Sequence, residues 1–290
     1  YLGFGLSPAV CICLVYVLDR KTALRREIRT AVRIEIGYLI FLFVTIPCGM
    51  VFSVSADNIY SRGPHFYIYI VMYFGAILYL SASTVITARE FQNRSRLLIY
   101  PLILFVMAET IIQVALPELH VTWLCVTLLS VLYFIYCSEM WNQLDALTGL
   151  LNQNSYLKQT GGVRCKGGVL VVFDVDDFKQ INDRYGHIQG DLCLAGIAEC
   201  IKKSYANFGY CYRIGGDEFC VLLKNGGNEG RCKQEFLQRL QEKRGEIAFL
   251  PTVSYGSAPF SGEDIVKVKD RADQDMYQYK KERKNRKRLS

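Results

Sequence analysis

The hydrophobic pattern divides the chain into two halves of different character. Up to about residue 137 the sequence is a succession of long apolar runs, which lie at residues 1–18, 36–54, 66–88, 97–116 and 121–137. A helix needs about 20 apolar residues to cross the hydrocarbon core of a bilayer. The pattern therefore predicts a polytopic helical membrane region over residues 1–137, with about five transmembrane helices.

The charged residues between these runs predict the orientation of the membrane region. Residues 19–35 contain six Lys or Arg and residues 89–96 contain three, whereas residues 55–65 contain only Arg62. Short loops rich in Lys and Arg stay on the cytoplasmic side of a membrane. We therefore expect a multi-pass protein of the inner (cytoplasmic) membrane, with lipid as a partner and with everything after residue 137 in the cytoplasm.

The second half has the shorter apolar segments of a soluble domain. Leu170–Phe173 form an unbroken apolar run followed by acids, which is typical of a strand buried on both faces. Further strand patterns lie at residues 210–214, 218–223 and 247–258. Pro251 indicates a bulge or an edge strand in the last of these, because proline cannot donate to a sheet ladder.

Helical patterns fill the intervals between the predicted strands. They comprise a short helix that ends at Gly186 and longer helices over residues 189–206, 229–244 and 262–284. The order β-α-α-β-β-α-β-α predicts an α+β fold in which helices flank a mostly antiparallel central sheet. We assign this domain to residues 148–288, preceded by a linking helix over residues 138–147, since no Gly- or Ser-rich linker follows the last apolar run.

Net charge changes this picture only at the C-terminus. The chain carries a formal net charge of +7, and its last eleven residues, KKERKNRKRLS, hold seven basic groups and one acid. The rest of the soluble half is therefore close to neutral. A nucleic-acid polymerase would need an extended basic groove, so we expect no nucleic-acid partner.

Acidic residues lie at the predicted ends of strands. Asp174 follows the buried apolar run, and Asp217 and Glu218 follow Gly215 and Gly216 at the tip of a predicted hairpin. If these strands are neighbours, the three carboxylates meet at one edge of the sheet. Carboxylate oxygens are the ligands that Mg²⁺ takes, usually together with substrate phosphates, so this edge is a candidate metal site.

The segment between these acids has features of a nucleotide site. The backbone N–H groups of residues 176–179 open a helix after a strand, where they can bind phosphate, and Lys179 adds a positive charge. Asn182 and Asp191 carry groups that can bind the edge of a base. Each of these features is common by itself, because Asn and Asp are frequent capping and turn residues.

Several motifs in order along residues 145–286 resemble the GGDEF domain of diguanylate cyclases. The motifs are DALTGLLNQNSY, FDVDDFKQINDRYGHIQGD, YRIGGDEF, VSYGSA and ADQDMYQYKKERKN. The resemblance covers about half of the chain and implies a fold similar to nucleotidyl cyclases and polymerase palms.

The resemblance implies a site for Mg²⁺ or Mn²⁺. Asp174 and Asp217 would bind two metal ions, helped by the carbonyl oxygen of Val175. Glu218 would either be a further metal ligand or help to deprotonate the 3′-hydroxyl of the nucleotide. Asp217 and Glu218 are thereby the implied catalytic residues.

The resemblance also implies a GTP site. Gly215 and Gly216 would leave room for the nucleotide, and Asn182 and Asp191 would bind guanine. An Asp at position 191 implies guanine, whereas the smaller Ser accompanies relaxed, adenine-containing products.

The triphosphate would be bound from two helices. Phe178 and Lys179, with the loop around them, would surround the phosphates, and Lys280 and Lys284 would bind them from the last helix. This helix departs from the family pattern AKxxGRN, because Arg283 replaces Gly and Lys284 replaces Arg. Lysine lacks the bidentate fork of arginine.

The function implied is condensation of two GTP into cyclic di-GMP and two pyrophosphates. Each domain would carry one GTP, so two copies must face each other as a homodimer for each 3′-hydroxyl to attack the other α-phosphate. The membrane half would sense a signal or anchor the enzyme. The alternative is a catalytically silent module that binds GTP or a cyclic dinucleotide and signals by interaction.

Overall fold

The chain divides into two compact units. The computed structural model describes residues 2–18, 26–54, 60–90, 99–116, 122–161 and 167–289. One unit covers Tyr1–Trp141 and the other covers Asn142–Ser290.

The first unit is built from helices and one short antiparallel hairpin. The helices are α1 (Leu2–Leu18), α2 (Arg26–Thr45), α3 (Tyr67–Glu90), α4 (Ile99–Ala115) and α5 (Thr122–Asn142), and the hairpin pairs β1 (Phe52–Val54) with β2 (Tyr60–Arg62). Among the residues described, three stretches are apolar enough over sufficient length to cross a bilayer, and they are Glu27–Cys48, Tyr67–Arg89 and Trp123–Asn142.

The predicted second span, residues 36–54, was wrong in its limits. Helix α2 begins ten residues earlier, at Arg26, and ends at Thr45, before a 3₁₀ turn over Ile46–Cys48. Pro47 explains this end, because proline has no N–H and disfavours helical geometry at the residue before it. The helix starts earlier than predicted because its first turns have a buried face and an exposed face. Ile28 and Glu35 are buried, while Arg29 and Arg33 are exposed. The charged segment is therefore a regular part of the helix.

The segment predicted as a linking helix is helical only in its first half. Helix α5 ends at Asn142, and residues 143–148 form turns and an isolated bridge, in which Leu144 pairs with Leu151. The side-chain amide of Asn152 donates to the carbonyl oxygen of Asn142 at 2.8 Å. This bond satisfies an acceptor at the helix end that has no partner within the helix.

The second unit is a four-stranded antiparallel sheet with helices on both faces. Its elements are α6 (Gln153–Thr160), β3 (Gly168–Val175), α7 (Phe178–Tyr185), α8 (His187–Tyr205), β4 (Gly209–Arg213), β5 (Glu218–Leu223), α9 (Glu229–Glu246), β6 (Val253–Phe260) and α10 (Ile265–Leu289). The strand order is β4-β5-β3-β6, with every neighbouring pair antiparallel. The predicted element order from β3 onwards and the antiparallel sheet are confirmed.

The last strand is shorter than predicted. Residues 247–252 are not in the sheet, and β6 begins at Val253. It is an edge strand, as Pro251 indicated. Proline has no N–H to donate to the ladder, so the strand starts only after it.

Two hydrophobic cores lie on opposite faces of the sheet, because successive side chains of a strand alternate between faces. Phe173 and Val221 pack in one core with Phe236 of α9. Leu170 and Val172 pack in the other with Ala272 of α10, among other residues. Strand β3 must serve both cores, which explains its unbroken apolar run.

Helix α10 approaches the sheet closely at Gly256. A Cβ atom at Gly256 would overlap the carbonyl oxygen of Ala272 and the backbone nitrogen of Met276. Both obstacles are backbone atoms and cannot turn away as a side chain would. Glycine at this position therefore sets the distance between α10 and β6.

An ion pair fixes the start of the second unit to the β4–β5 hairpin. Asp145 Oδ1 accepts from the Thr148 backbone N–H at 2.9 Å and from its hydroxyl at 2.6 Å. It also accepts from Arg213 Nη1 at 3.1 Å, and the same guanidinium donates through Nη2 to the Gly216 carbonyl at 2.7 Å. Burial alone would raise the pKa of Asp145, but these hydrogen bonds and the charge of Arg213 outweigh it and hold the pKa below its usual value.

We predict that Gly256→Ala destabilises the second unit by about 1–3 kcal/mol, the usual cost of overpacking. Cys220 reports this change, because the residue is fully buried and burial raises the pKa of its thiol, so it reacts only after opening. Its alkylation rate, followed by mass spectrometry on the full chain, should rise about 5- to 150-fold. Gly230→Ala, on an open surface of α9, is the control and should not accelerate the reaction. Equal rates in wild type and Gly256→Ala would contradict the prediction.

We predict that Asp145→Asn loosens the hairpin at neutral pH by about 1.5–3 kcal/mol, the range for hydrogen bonds to a charged group. The pKa of Asp145 is lowered on folding. The stabilisation is therefore present above the pKa of an unfolded aspartate, about 3.9, and is lost as the pH falls through the lower folded value. Hydrogen exchange of residues 143–152 and 209–217 should differ between wild type and variant at pH 7 and converge in strong acid. Asp270→Asn, an exposed acid of α10, should match wild type at every pH.

Candidate functional site

Two acids face each other at one edge of the sheet. Asp174, the last residue but one of β3, is the register partner of Glu218, the first residue of β5. On its other side Asp174 pairs with Ser254 of β6. Strand alternation puts Asp174 and Glu218 on the sheet face that α10 covers. Like charges directly opposite each other destabilise a sheet, so this pair requires compensation.

Lys280 of α10 supplies positive charge at this position. Its Nζ atom donates a hydrogen bond to Asp174 Oδ2 and lies 3.5 Å from Asp176 Oδ1. Burial by itself would lower the pKa of Lys280, but the hydrogen bond and charge of Asp174, together with Asp176, raise it above the usual value. Lys280 is therefore a stable cation beside the acids.

Asp176 is a buried anchor for the C-terminal part of α10. Its carboxylate accepts from the hydroxyls of Thr252 and Ser254, each at 2.7 Å, and from Arg283 Nη1 at 3.0 Å. Arg283 also donates to the Val253 carbonyl at 3.3 Å. From the sequence alone, Arg283 is only a departure from the family pattern. In the structure its partner is Asp176. An unusual arginine in the last helix is the sequence signal that could have indicated this pair.

The hairpin tip is held by its backbone. The N–H groups of Ile214 and Gly215 donate to the Glu218 carbonyl at 3.0 and 3.4 Å, and Val175 N–H donates to the Asp217 carbonyl at 3.2 Å. Asp217 thus joins the end of β3 through its main chain, and its side chain is partly exposed. These bonds bring Asp217, Glu218 and Asp174 to the same edge.

The two glycines of the hairpin provide space rather than a special backbone conformation. Neither Gly215 nor Gly216 has a positive φ. A Cβ at Gly215 would lie 3.3 Å from Glu218 Oε2, and one at Gly216 would have no atom within 4 Å. The surface above Gly216 is therefore open, as a site for close approach of a ligand requires.

The predicted guanine-binding residues lie together where α7 meets α8. The Oδ1 atom of Asn182 is buried and has no hydrogen-bond partner among the residues described. A Cβ at Gly190 would overlap that atom, and Asp191 follows at an exposed position. The site therefore combines an acceptor that has no donor among the described residues with a neighbouring carboxylate.

The remaining predicted residues surround the start of α7 and the end of α10. Asp177, which precedes α7, has φ of 55° and is the single non-glycine residue with positive φ among those described. Phe178 packs partly against the core, and Lys179 is exposed. The side chain of Lys284 lies outside the part of the chain that the structure describes.

The donor set suits a hard divalent cation. Within the described ranges no three His, Cys, Asp or Glu residues are grouped closely enough to hold a metal ion by themselves. Mg²⁺ needs only one or two carboxylates when substrate phosphates complete its shell. Asp174 and Glu218, in register on neighbouring strands, meet that requirement.

Comparison with known proteins identifies a family. A family model described as "Diguanylate cyclase, GGDEF domain" matches residues 142–286. The chain is 32% identical over 154 residues to diguanylate cyclase DgcS of Shewanella oneidensis, a match that covers 50% of this chain and 52% of that protein. It is 30% identical over 151 residues to the probable diguanylate cyclase DgcJ of Escherichia coli K12, covering 49% of this chain and 30% of that protein. The GGDEF domain of DgcB from Caulobacter crescentus, solved in complex with c-di-GMP, is 27% identical, with 48% of this chain and 90% of that chain covered and a TM-score of 0.40.

The matches to the relatives cover only part of each relative, whereas the match to the family model covers half of this chain. The chain spans about half or less of the length of the two curated relatives. The family model covers half of the 290 residues and includes every element from α6 to β6. The chain therefore belongs to the family of diguanylate cyclase GGDEF domains.

Proposed function

We propose that this chain is a membrane-bound diguanylate cyclase, which condenses two GTP into cyclic di-GMP and two pyrophosphates. The observation that carries the proposal is the register pair of Asp174 and Glu218, in which Asp174 is paired with Lys280. Two facing acids next to a cation form a costly arrangement that a purely structural sheet edge does not need. Family membership and relatives named as diguanylate cyclases support the same reaction.

The acids at the sheet edge would hold Mg²⁺ or Mn²⁺. Asp174, Asp217 and Glu218, with the carbonyl of Val175, would supply its oxygen ligands. The metal, when bound, would lower the pKa of the 3′-hydroxyl and neutralise charge on the attacked phosphate. Lys280 provides the counter-charge for Asp174 in the structure and would move to the substrate phosphates.

The rest of the site would bind the nucleotide. Asn182 and Asp191 would bind the guanine edge, where the unpartnered Asn182 oxygen would accept from a ring or exocyclic N–H. The open surface at Gly216 would admit the nucleotide next to the hairpin. The N–H groups at the start of α7, with Lys179, would bind phosphate oxygens.

The reaction requires two copies of the chain. In each half of the reaction the 3′-hydroxyl of one GTP would give up its proton, with Glu218 as the proposed acceptor, while its oxygen forms a bond to the α-phosphorus of the other GTP. The bond from that phosphorus to the oxygen bridging to the β-phosphate breaks and releases pyrophosphate. A single unit carries one GTP, so the chain would act as a homodimer.

The first unit would lie in the inner (cytoplasmic) membrane, in contact with lipid, with the catalytic unit in the cytoplasm. Three apolar stretches of sufficient length support this location. Large apolar side chains on the surface also support it, because Phe43 is 76% exposed and Leu124 is 71% exposed. Large apolar side chains that are exposed on helices of membrane-spanning length suit contact with lipid.

We predict that the full chain in detergent or nanodiscs converts GTP with Mg²⁺ into cyclic di-GMP and pyrophosphate. Asp217→Asn should lower kcat by at least about 100-fold, the usual effect of removing a group that stabilises transition-state charge. Asp270→Asn is the matched control, because it removes the same charge at an exposed position of α10 that is not part of the proposed site. Product identification by mass spectrometry provides the measurement.

Two outcomes would contradict this prediction. GTP binding without turnover in the wild-type chain would favour the silent nucleotide-binding module. A cyclic dinucleotide formed equally well by Asp217→Asn would remove this carboxylate from the mechanism.

We predict that guanine selectivity depends on Asn182 and Asp191. The preference for GTP over ATP in kcat/KM should fall about 5- to 150-fold in Asn182→Ala and in Asp191→Ser, because hydrogen bonds to a base edge contribute about 1–3 kcal/mol of discrimination. Gln180→Ala, at an exposed position of the same helix α7, should keep the wild-type ratio. An unchanged ratio in both site variants would mean that other groups recognise the base.

A further inference from the structure

A large cavity lies within the first unit, between α1, α2 and α3. Its volume is about 630 Å³. Ile12 of α1 and Tyr79 of α3 contribute to its wall, and Ile34 and Val71 lie at its mouth, where their side chains are 56% and 65% exposed. Neither the GTP site nor the sheet of the second unit includes any of these residues. The cavity is therefore a feature that the proposed reaction does not use.

Glu35, whose buried carboxylate has no hydrogen-bond partner among the described residues, belongs to the wall of this cavity. Glu35 is only 6% exposed, and among the residues described neither of its carboxylate oxygens has a hydrogen-bond partner. A carboxylate buried without compensation is strongly unfavourable. In a segment of membrane-spanning length such a residue is a functional-site candidate, because polar groups there are costly. The missing partner is thus the first indication of a ligand.

The charge of the wall defines the chemistry of the ligand. Glu27 is the second acid of the wall, and no Lys or Arg belongs to its described lining residues. The other lining side chains are mostly apolar, with Thr30 as an exception. A ligand that fits must therefore carry a hydrogen-bond-donating cation at one end and an apolar body at the other.

We propose that the first unit binds a small amphipathic amine, whose ammonium group pairs with Glu35 and whose apolar body fills the cavity. The volume is within the range of small-molecule sites, about 300–1,000 Å³, which are mostly apolar with a few polar groups that fix orientation. A phospholipid with an ethanolamine head group fits less well, because its phosphate would lie beside two acids without a cation. Direct binding tests this site, and its outcome does not depend on cyclase activity.

The test is a binding titration of the full chain in detergent with 4-phenylbutylamine. Two analogues with the same apolar body serve as comparisons, 4-phenylbutanol and 4-phenylbutyrate, which replace the ammonium by a hydroxyl and by a carboxylate. Equilibrium dialysis should show saturable binding of the amine at least tenfold tighter than of the alcohol, and no saturable binding of the acid. Equal affinity for amine and alcohol would overturn the proposal.

Three variants separate the carboxylate from the cavity. Glu35→Gln keeps the shape of the side chain and should abolish the tenfold preference for the amine. Glu139→Gln, at an exposed position of α5 outside the cavity wall, is the matched control and should change the affinity less than threefold. Gly75→Leu should abolish binding of amine and alcohol alike, because a side chain at Gly75 meets no atom within 4 Å of its Cβ and extends into the cavity.

The variants also keep the test decisive if one of them misfolds. Gly75→Leu leaves Glu35 intact and replaces a helical glycine, so it tests the site independently of Glu35→Gln. Because this variant fills the cavity, any amine that it retains measures uptake by the detergent alone. Amine binding that persists in both Glu35→Gln and Gly75→Leu would overturn the site. Displacement of the amine by equimolar phosphatidylethanolamine would assign the cavity to lipid and would equally overturn the proposal.

Discussion

The repulsion between Asp174 and Glu218, and its compensation by α10, is the constraint on which the second unit depends. The two acids face each other on neighbouring strands, an arrangement that is unfavourable without a cation nearby. Helix α10, which is far away in sequence, supplies this positive charge, because Lys280 pairs with Asp174 and Lys269 interacts electrostatically with Glu218. A bound metal ion would compete with Lys280 for the same carboxylate oxygens. Lys280, which stabilises the sheet edge in this structure, would therefore change its partner when metal and substrate bind.

This compensation requires α10 to lie close to the sheet. Gly256 allows the helix backbone to approach β6, and Asp176 secures the helix further on through Arg283. Arg283 replaces the glycine of the family pattern. The buried Asp176 accepts from it and from two hydroxyls, so the guanidinium belongs to a hydrogen-bonded network rather than to solvent.

The first unit presents a related electrostatic problem in an apolar setting. Glu35 is buried without a partner among the described residues, and it borders a cavity of about 630 Å³. In the second unit an opposite charge of the chain itself offsets the acids. Among the described residues of the first unit no Lys or Arg lines the cavity, and a ligand from outside the chain is the compensating group that we propose.

The sequence by itself determined the element order of the second unit from β3 onwards, its antiparallel sheet and the acids at its edge, because strand periodicity and the glycine-acid hairpin are local signals. It placed the second apolar helix wrongly, since an apolar run does not reveal that a charged segment such as Arg26–Glu35 belongs to the same helix. Only the tertiary structure decided that Arg283 pairs with Asp176, that Asp145 holds the hairpin through Arg213, and that Glu35 is buried beside a cavity. These contacts join residues that are far apart in sequence or depend on the packing of several helices. They form only when folding brings these residues together, and a local sequence pattern does not contain that information.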